Sequence, residues 1–96
     1  MDGIIDVMET KTLQLKNKLG MHARAAATFV KLAQQFKADI SIERNGQTVA
    51  GNSILDILTL GCPYGGQLTI KAEGADASAA LAELEKLIEN KFGEEY

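Results

Sequence analysis

The residues of this chain that could do chemistry lie close together, in the segment Asn17–Ala27. His22 is the only histidine of the sequence, and Arg24 follows it two positions later. A glycine-bearing turn precedes the histidine and good helix formers follow it, which predicts that a helix begins near His22. The start of a helix attracts anions, because its first backbone N–H groups lack intrahelical partners and carry partial positive charge. A nucleophilic imidazole and a guanidinium at such a helix end suit a phosphate held on, or beside, His22.

A covalent carrier is the simplest chemistry that these residues support. The sequence offers no Cys–His or Ser–His pair by spacing, no paired-carboxylate motif, no Walker-type glycine loop and no metal-ligand cluster. We therefore expect neither a stand-alone enzyme nor a bound metal or cofactor. A neutral imidazole can act as a nucleophile without a dedicated base. A phosphate on His22 would meet the backbone N–H groups of Ala23, Arg24 and Ala25, and the Arg24 guanidinium would add charge-assisted hydrogen bonds.

Each candidate residue also has an ordinary structural interpretation. A histidine at the start of a helix is often only a cap or an exposed side chain, and Arg24 can be a surface charge. Ser53 is more simply the N-cap of a second helix. Cys62, the only cysteine, is more simply a small apolar filler.

The elements that must position these residues follow from hydrophobic periodicity and turn signals. Alternating apolar residues predict four strands, at Thr12–Lys16, Asp39–Glu43, Gln47–Ala50 and Gln67–Ala72. Apolar residues at three- and four-residue steps predict three helices, at His22–Phe36, at Ile54–Leu60 and from a cap at Asp76 to Lys91.

The order of these elements, β-α-β-β-α-β-α, limits the possible folds. Asn45-Gly46 predicts a tight hairpin between the second and third strands, because both residues tolerate positive φ. Each strand has one apolar face, and four strands are too few for two packed layers. The economical solution is an antiparallel or mixed sheet with all helices on one side.

Length and composition indicate one soluble globular domain, since 96 residues are 46% hydrophobic and 24% charged. We expect the domain to span residues 10–92, after a lead-in at 1–9 and before an acidic tail at 93–96 that frays. A lone cysteine favours a reducing cytoplasm. The sequence has no signal-peptide pattern and no run of transmembrane length, so we expect no membrane association.

Charge is distributed unevenly along the chain. Between residues 10 and 37 there are six bases and no acid, whereas residues 73–96 contain seven acids and two lysines. We expect a locally positive end around His22, which would steer an anionic partner within roughly 8–10 Å. The net charge of −3 argues against nucleic acid as that partner.

The segment Asn17–Ala26 resembles the active-site segment of the HPr family, the histidine-containing phosphocarriers of the bacterial phosphotransferase system. A second segment, Asn52–Gly61, resembles the regulatory-serine helix of that family. The strand and turn at Gln67–Gly74 fit at the expected distance. The resemblance extends from about Lys11 to Ile88, and two separate motifs in the right order make it specific.

This resemblance implies a fold, a role and a set of partners. The family fold is an α+β open-faced β-sandwich, a four-stranded antiparallel sheet with three helices on one face. Its members accept phosphate from enzyme I, itself charged by phosphoenolpyruvate, on Nδ1 of a histidine, and donate it to IIA domains of sugar permeases; we expect this chain to be a monomer. By the match, His22 is the phosphoacceptor and Arg24 its supporting cation. Ser53 matches a serine that an ATP-dependent kinase/phosphorylase modifies in many relatives.

Three positions depart from the family pattern. Ala25 stands where many relatives have proline, and there alanine adds an N–H donor to the first helical turn. Asn52 replaces a lysine and Asp56 a glycine around Ser53. Because Asp56 adds a negative charge one turn after Ser53, we expect it to disfavour phosphorylation of that serine.

The short second helix also predicts an exposed apolar docking patch near the histidine, formed by Met21, Ile54, Leu55 and Leu58. The resemblance implies that Ile54 and Leu55 of this patch contact partners. The alternative is that most of these side chains belong to the core, since so short a helix cannot expose all of them. A small and transient interface suits a carrier that must leave its partner quickly.

Two other functions remain open from the sequence. The run Asn17–Gly20 also resembles a regulatory branch of the family, in which the phosphorylated state signals nitrogen or carbon status. A module that binds a small anion without a covalent bond is the alternative from a different class, with His22 as a ligand contact only.

Overall fold

The computed structural model describes residues 7–95 of the chain. In chain order, the elements are β1 Met8–Gln14, α1 Ala23–Ala33, β2 Asp39–Arg44, β3 Gln47–Ala50, α2 Ile54–Thr59, β4 Gln67–Glu73 and α3 Ala77–Glu89. A short turn, Lys91–Gly93, follows the last α-helix. In the part of the chain so described, no helix is both long and apolar enough to cross a membrane.

The strands form one antiparallel sheet in the order β1-β4-β2-β3. On the central strand β4, Leu68, Ile70 and Ala72 are buried and the residues between them face the other side. Leu13 of β1 lies opposite Leu68, and Ile42 of β2 lies opposite Ile70, so the buried residues of three strands share one face. All three helices cover this apolar face. The predicted open-faced, four-stranded antiparallel sheet with three helices is confirmed.

The hairpin between β2 and β3 is the most local of the confirmed predictions. Asn45 and Gly46 have φ values of 53° and 83°, the left-handed conformation that this tight turn needs. The two strands then pair in register, with Ile42 opposite Val49.

The edge strand β1 has different limits from those predicted. It covers Met8–Gln14 rather than Thr12–Lys16, and it pairs with β4 along its whole length. Only Leu13 within it is buried, so most of the strand is held by backbone hydrogen bonds that leave no hydrophobic pattern in the sequence. Residues 8 and 9 of the predicted lead-in therefore lie in β1, whereas residues 1–6 lie outside the described residues.

The helix α1 is shorter than the predicted His22–Phe36. Its predicted buried stripe is confirmed up to the helix end, at Ala26, Phe29, Val30 and Ala33. The chain then tightens, because the N–H groups of Gln35 and Phe36 donate to carbonyls three residues earlier. Phe36 packs only partly buried against the core, beyond the helix.

The helix α3 ends at Glu89, and its predicted continuation to Lys91 is wrong. Lys91, Phe92 and Gly93 have φ values of 59°, 56° and 81°, so three consecutive residues are left-handed. This conformation cannot continue a right-handed helix and reverses the chain. The Phe92 side chain is buried in the core, which fixes the reversed segment against the domain.

The predicted N-cap of α3 at Asp76 is confirmed in position but not in its side-chain bond. Asp76 occupies the N-cap position but makes no side-chain cap hydrogen bond. Its carboxylate instead accepts the backbone N–H groups of Lys37 and Ala38, both at 2.8 Å. The bond from Lys37 has the largest effect and lowers the pKa of Asp76; desolvation opposes it, and the bond from Ala38 adds to the lowering. The side chain therefore joins the α1–β2 loop to the start of α3.

Candidate functional site

The loop between β1 and α1 places His22 at the start of the helix. In this loop the N–H of Gly20 donates to the carbonyl of Asn17 at 3.0 Å, and the N–H of Met21 donates to the carbonyl of Cys62 at 2.9 Å. Gly20 has a φ of 68°, and a Cβ at this position would lie only 2.7 Å from the Cys62 carbonyl oxygen. Glycine is therefore required for the close packing that orients the histidine.

His22 is the N-cap residue of α1, with an extended backbone, and its carbonyl accepts the N–H of Ala26 at 2.9 Å. Its side chain makes no cap hydrogen bond, and the first turn of α1 contains no acidic residue. The imidazole is 24% exposed. The helix start thus keeps N–H donors and partial positive charge beside an accessible ring.

The three residues whose amides were predicted to meet a phosphate differ in accessibility. Ala23 and Arg24 are exposed, whereas Ala25 has no accessible surface. The amide of Ala25 can meet a phosphoryl group only after the groups that cover it have moved.

The imidazole contacts a carboxylate from the other end of the chain. Nε2 of His22 hydrogen bonds with Oε2 of Glu94, and Oε1 of the same carboxylate accepts the Nδ2 donor of Asn17 at 3.0 Å. Asn17 is fully buried and also donates from Nδ2 to the carbonyl of Gly20, at 2.7 Å. We call the three side chains of His22, Glu94 and Asn17 the His–Glu–Asn cluster.

The carboxylate of this cluster is ionised at neutral pH. Burial by itself raises the pKa of Glu94, but the hydrogen bonds from Asn17 and His22, together with the nearby charge of Arg24, outweigh burial and hold the pKa below its ordinary value. The prediction that the acidic tail frays is therefore wrong at Glu94, because two hydrogen bonds fix this residue on the site.

Arg24 lies in a groove beside the cluster, together with Leu19, Thr28, Phe92 and Glu94. Its charge contributes to the lowered pKa of Glu94, and the guanidinium and the carboxylate line the same groove. Among residues 7–95, no group of three or more His, Cys, Asp or Glu side chains could hold a metal ion.

The locally positive end predicted from the sequence is weaker in the folded chain. Lys11 forms an ion pair with Glu85 at 2.7 Å, and Lys16 forms one with Glu89 at 2.5 Å. Because β1 packs beside α3, two bases of the basic segment meet acids of the acidic segment. The separation of charge along the chain is partly cancelled in space.

Ser53 is the N-cap of α2, as its structural interpretation predicted. Its Oγ accepts the N–H of Asp56 at 3.2 Å, and Asp56 lies in the first turn of the helix. The hydroxyl therefore stabilises α2, and regulatory phosphorylation of Ser53 stays a prediction.

The predicted docking patch is only partly exposed. Ile54 and Leu55 are 38% and 76% exposed, whereas Leu58 packs partly buried against the core. The predicted exposure of Met21 is wrong, since this side chain is only 6% exposed. Its backbone bond to Cys62 pulls the loop against the domain and turns the methionine into the core. A docking role for the exposed pair stays a prediction.

Two members of the His–Glu–Asn cluster, Asn17 and Glu94, were not identified from the sequence as site residues. Asn17 looked like a turn residue and Glu94 like part of a solvated tail. The signal that could have located Glu94 is Phe92-Gly93, an aromatic residue and a glycine just past the last helix, a pattern typical of a chain reversal at a helix C-terminus.

Known proteins resemble this chain over most of its length. The family model described as "PTS HPr component phosphorylation site" matches residues 9–90. The phosphocarrier protein HPr of Neisseria meningitidis is 36% identical over 87 residues, which cover 91% of this chain and 98% of that protein. The phosphocarrier protein HPr of Borreliella burgdorferi is 41% identical over 83 residues, which cover 86% of this chain and 96% of that protein.

A solved structure agrees with these sequence matches. The crystal structure of HPr-C-His from Thermoanaerobacter tengcongensis matches with a TM-score of 0.88 and 42% sequence identity, over 92% of this chain and 99% of that chain. Its fold and its sequence therefore agree with those of this chain over the same region. On this evidence, the chain belongs to the HPr family of phosphotransferase-system components.

Proposed function

We propose that this chain is a phosphocarrier protein of the phosphoenolpyruvate-dependent phosphotransferase system, which accepts a phosphoryl group on His22 from enzyme I and passes it to IIA domains of sugar permeases. The observation that carries the proposal is the state of the α1 N-terminus. His22 occupies the N-cap position, but its accessible ring does not cap the helix. Membership of the HPr family supports a role in the phosphotransferase system. The geometry of the α1 N-terminus supports His22 as the residue that accepts the phosphoryl group.

Transfer requires a nucleophilic ring nitrogen and a place for the phosphoryl oxygens. Nδ1 of His22, the nitrogen used in the family, forms the new N–P bond while the bond between phosphorus and the donor group of enzyme I breaks. The donor group leaves with that electron pair. The oxygens would then meet the N–H groups of Ala23 and Arg24 and the Arg24 guanidinium. Ala25 would join them only after a movement that exposes its amide.

The chain acts in this proposal as a carrier and not as a stand-alone catalyst. Stabilisation of the bound phosphoryl group must stay moderate, because a carrier that holds the group too tightly cannot pass it on. Exposed donors at a helix start suit this need, since water competes for each hydrogen bond. The same carrier would work in the cytoplasm, where phosphoenolpyruvate is available.

Both partners would approach the same surface. Ile54 and Leu55 lie exposed on α2, and a small apolar contact there would allow a monomer to bind and leave quickly. Modification of Ser53 by a serine kinase/phosphorylase would have to break the cap of α2 and add charge beside Asp56. Regulatory phosphorylation of this serine would therefore remove a bond that stabilises the helix.

Phosphoryl transfer with purified components tests the proposal. The chain is incubated with phosphoenolpyruvate and enzyme I and its intact mass is measured, then a IIA domain is added and both masses are followed. We expect a gain of one phosphoryl group on this chain, followed by its loss as the IIA domain gains it. No gain, with an enzyme I that phosphorylates another HPr, would contradict the proposal. A gain that no sugar-permease IIA domain removes would favour the regulatory branch.

A further inference from the structure

We propose that Glu94 is a positioning residue for phosphoryl transfer, whose carboxylate holds the Nε2 proton of His22 and so leaves the lone pair of the ring on Nδ1. This inference rests on the proposed function, since it concerns the nitrogen that attacks phosphorus. It adds a residue from the C-terminal tail to a site otherwise built from the first turn of α1.

The carboxylate is held by both of its oxygens. Oε2 contacts Nε2 of His22, and Oε1 accepts from Nδ2 of Asn17 at 3.0 Å. The Glu94 side chain is only 15% exposed. A carboxylate held in this way cannot turn away from the ring without losing two hydrogen bonds.

The orientation of the Asn17 amide is fixed by its partners. Both neighbours of its nitrogen, the Gly20 carbonyl and the Glu94 carboxylate, can only accept hydrogen bonds. The amide oxygen Oδ1 is buried and has no hydrogen-bond partner within residues 7–95. In this orientation Oδ1 of Asn17 finds no partner within residues 7–95, whereas both N–H donors of Nδ2 are used. One holds the Gly20 carbonyl of the loop and the other holds the Glu94 carboxylate of the tail.

The chain reversal after α3 aims Glu94 at the ring. Lys91 and Phe92 are left-handed although neither is glycine, a conformation that costs free energy and persists only where the surroundings impose it. Burial of the Phe92 side chain supplies one such constraint, and the bonds of Glu94 to Asn17 and His22 supply the other. The left-handed turn therefore places the Glu94 carboxylate next to the His22 ring.

The chemistry follows from the donor and acceptor capacities of the groups. A neutral imidazole has one N–H, and an ionised carboxylate can only accept, so the proton resides on Nε2 and the lone pair on Nδ1. The ionised state is favoured because the hydrogen bonds to Glu94 and the nearby charge of Arg24 together outweigh its burial and lower its pKa. When Nδ1 forms the bond to phosphorus, Nε2 keeps its proton and the ring becomes cationic. Glu94 then stabilises that charge, as the buried aspartate of a catalytic triad stabilises an imidazolium.

The variant Glu94→Gln tests the inference, because it keeps the size of the side chain and removes its charge. Glu95→Gln is the matched control, since it removes the same charge from the exposed neighbouring residue. The fraction of His22 rings protonated on Nε2 is measured from the ¹⁵N shifts of the neutral imidazole, and the rate of phosphorylation is measured with enzyme I and phosphoenolpyruvate. Thermal unfolding of each variant checks that the domain remains folded.

We expect Glu94→Gln to move protons from Nε2 to Nδ1 and to slow phosphorylation by about 10–100-fold. Glu95→Gln should leave both quantities as in the parent chain. An unchanged tautomer in Glu94→Gln would overturn the inference, whatever the rate, and so would a rate equal to or above that of the parent chain.

The tautomer measurement also separates this inference from the proposed function. It needs no enzyme I, so it reports on Glu94 even if the parent chain accepts no phosphoryl group. A parent chain that is phosphorylated at the same rate as Glu94→Gln would contradict the role of Glu94 and leave the carrier function standing.

Discussion

Two helix N-termini of this domain use their N-cap side chains in opposite ways. The Ser53 hydroxyl caps its own helix, because Oγ accepts the N–H of Asp56 at 3.2 Å. His22 leaves its helix uncapped by the side chain and directs its ring to Glu94, 72 residues along the chain. A cap side chain that satisfies its own helix is structural. The His22 ring is held by another element and stays 24% exposed at an open helix end, so it is available for chemistry.

The charges in the first turns of the two helices also differ. The first turn of α1 contains no acid, whereas that of α2 contains Asp56. A phosphoryl group at the start of α1 would meet donors and Arg24, but one on Ser53 would meet a carboxylate. The comparison predicts covalent chemistry at the first site and stability at the second.

The largest expected effect comes from His22→Ala, which should abolish phosphorylation by enzyme I. The side chain makes no cap bond but its hydrogen bond to Glu94 is lost, so the free energy of unfolding should fall by about 1–2 kcal/mol. Intact mass after incubation with phosphoenolpyruvate measures the first effect, and urea unfolding measures the second. Ser53→Ala is the control and should gain the phosphoryl group normally. Phosphorylation of the His22→Ala variant would contradict the assignment of covalent chemistry to the α1 N-terminus.

The next effect is expected from Arg24→Ala. Loss of the guanidinium removes charge-assisted hydrogen bonds to the phosphoryl group and should slow transfer by about 10–100-fold. Lys31→Ala removes an equal charge from an exposed position near the other end of the helix and should change the rate little. An equal loss in both variants would assign the effect to general attraction of the partner instead of contact with the phosphoryl group.

The variant Ser53→Ala should lower the free energy of unfolding by about 1 kcal/mol, since it removes the cap of α2. Ser53→Asp is the matched control, because aspartate is as good an N-cap and should keep the stability. Urea unfolding of both variants and the parent chain measures the difference. Equal stability of Ser53→Ala and the parent chain would mean that the Ser53 hydroxyl does not stabilise α2.

The smallest expected effect concerns a third N-cap residue, Asp76. Its carboxylate accepts the backbone N–H groups of Lys37 and Ala38, which lie outside its own helix. These bonds hold its pKa below the ordinary value. A depressed folded-state pKa gives stability that is present above the unfolded value, about 3.9, and is lost as the pH falls through the folded value.

The midpoint of urea unfolding should therefore fall as the pH is lowered below about 4. Asp76→Ala should lose part of this pH dependence and be less stable at neutral pH. The same slope of midpoint against pH in both chains would contradict the assignment to Asp76.

Much of this fold could be predicted from local patterns. The stripe of Phe29 and Val30 on α1 and the Asn45-Gly46 hairpin each depend on a few neighbouring residues, so periodicity and turn chemistry identify them. The position of His22 at a helix start is local in the same way. These features were predicted because burial and backbone conformation are determined within a few residues.

The rest depends on contacts that sequence patterns do not encode. The start of β1 at Met8 is held by backbone pairing with Glu73 and not by buried side chains. The contact of Glu94 with His22 needs left-handed Lys91 and Phe92, residue types whose propensities do not predict that conformation. The division of the chain into residues 1–9, 10–92 and 93–96 stays a prediction.

Location of the phosphoryl group on the parent chain tests the central claim most directly. After reaction with enzyme I and phosphoenolpyruvate, the chain is fragmented under conditions that preserve acid-labile phosphate, and the modified residue is read by mass spectrometry. We predict a phosphoryl group on His22, labile to acid and stable to base. A phosphoryl group on any other residue, or none on a folded chain, would contradict the account.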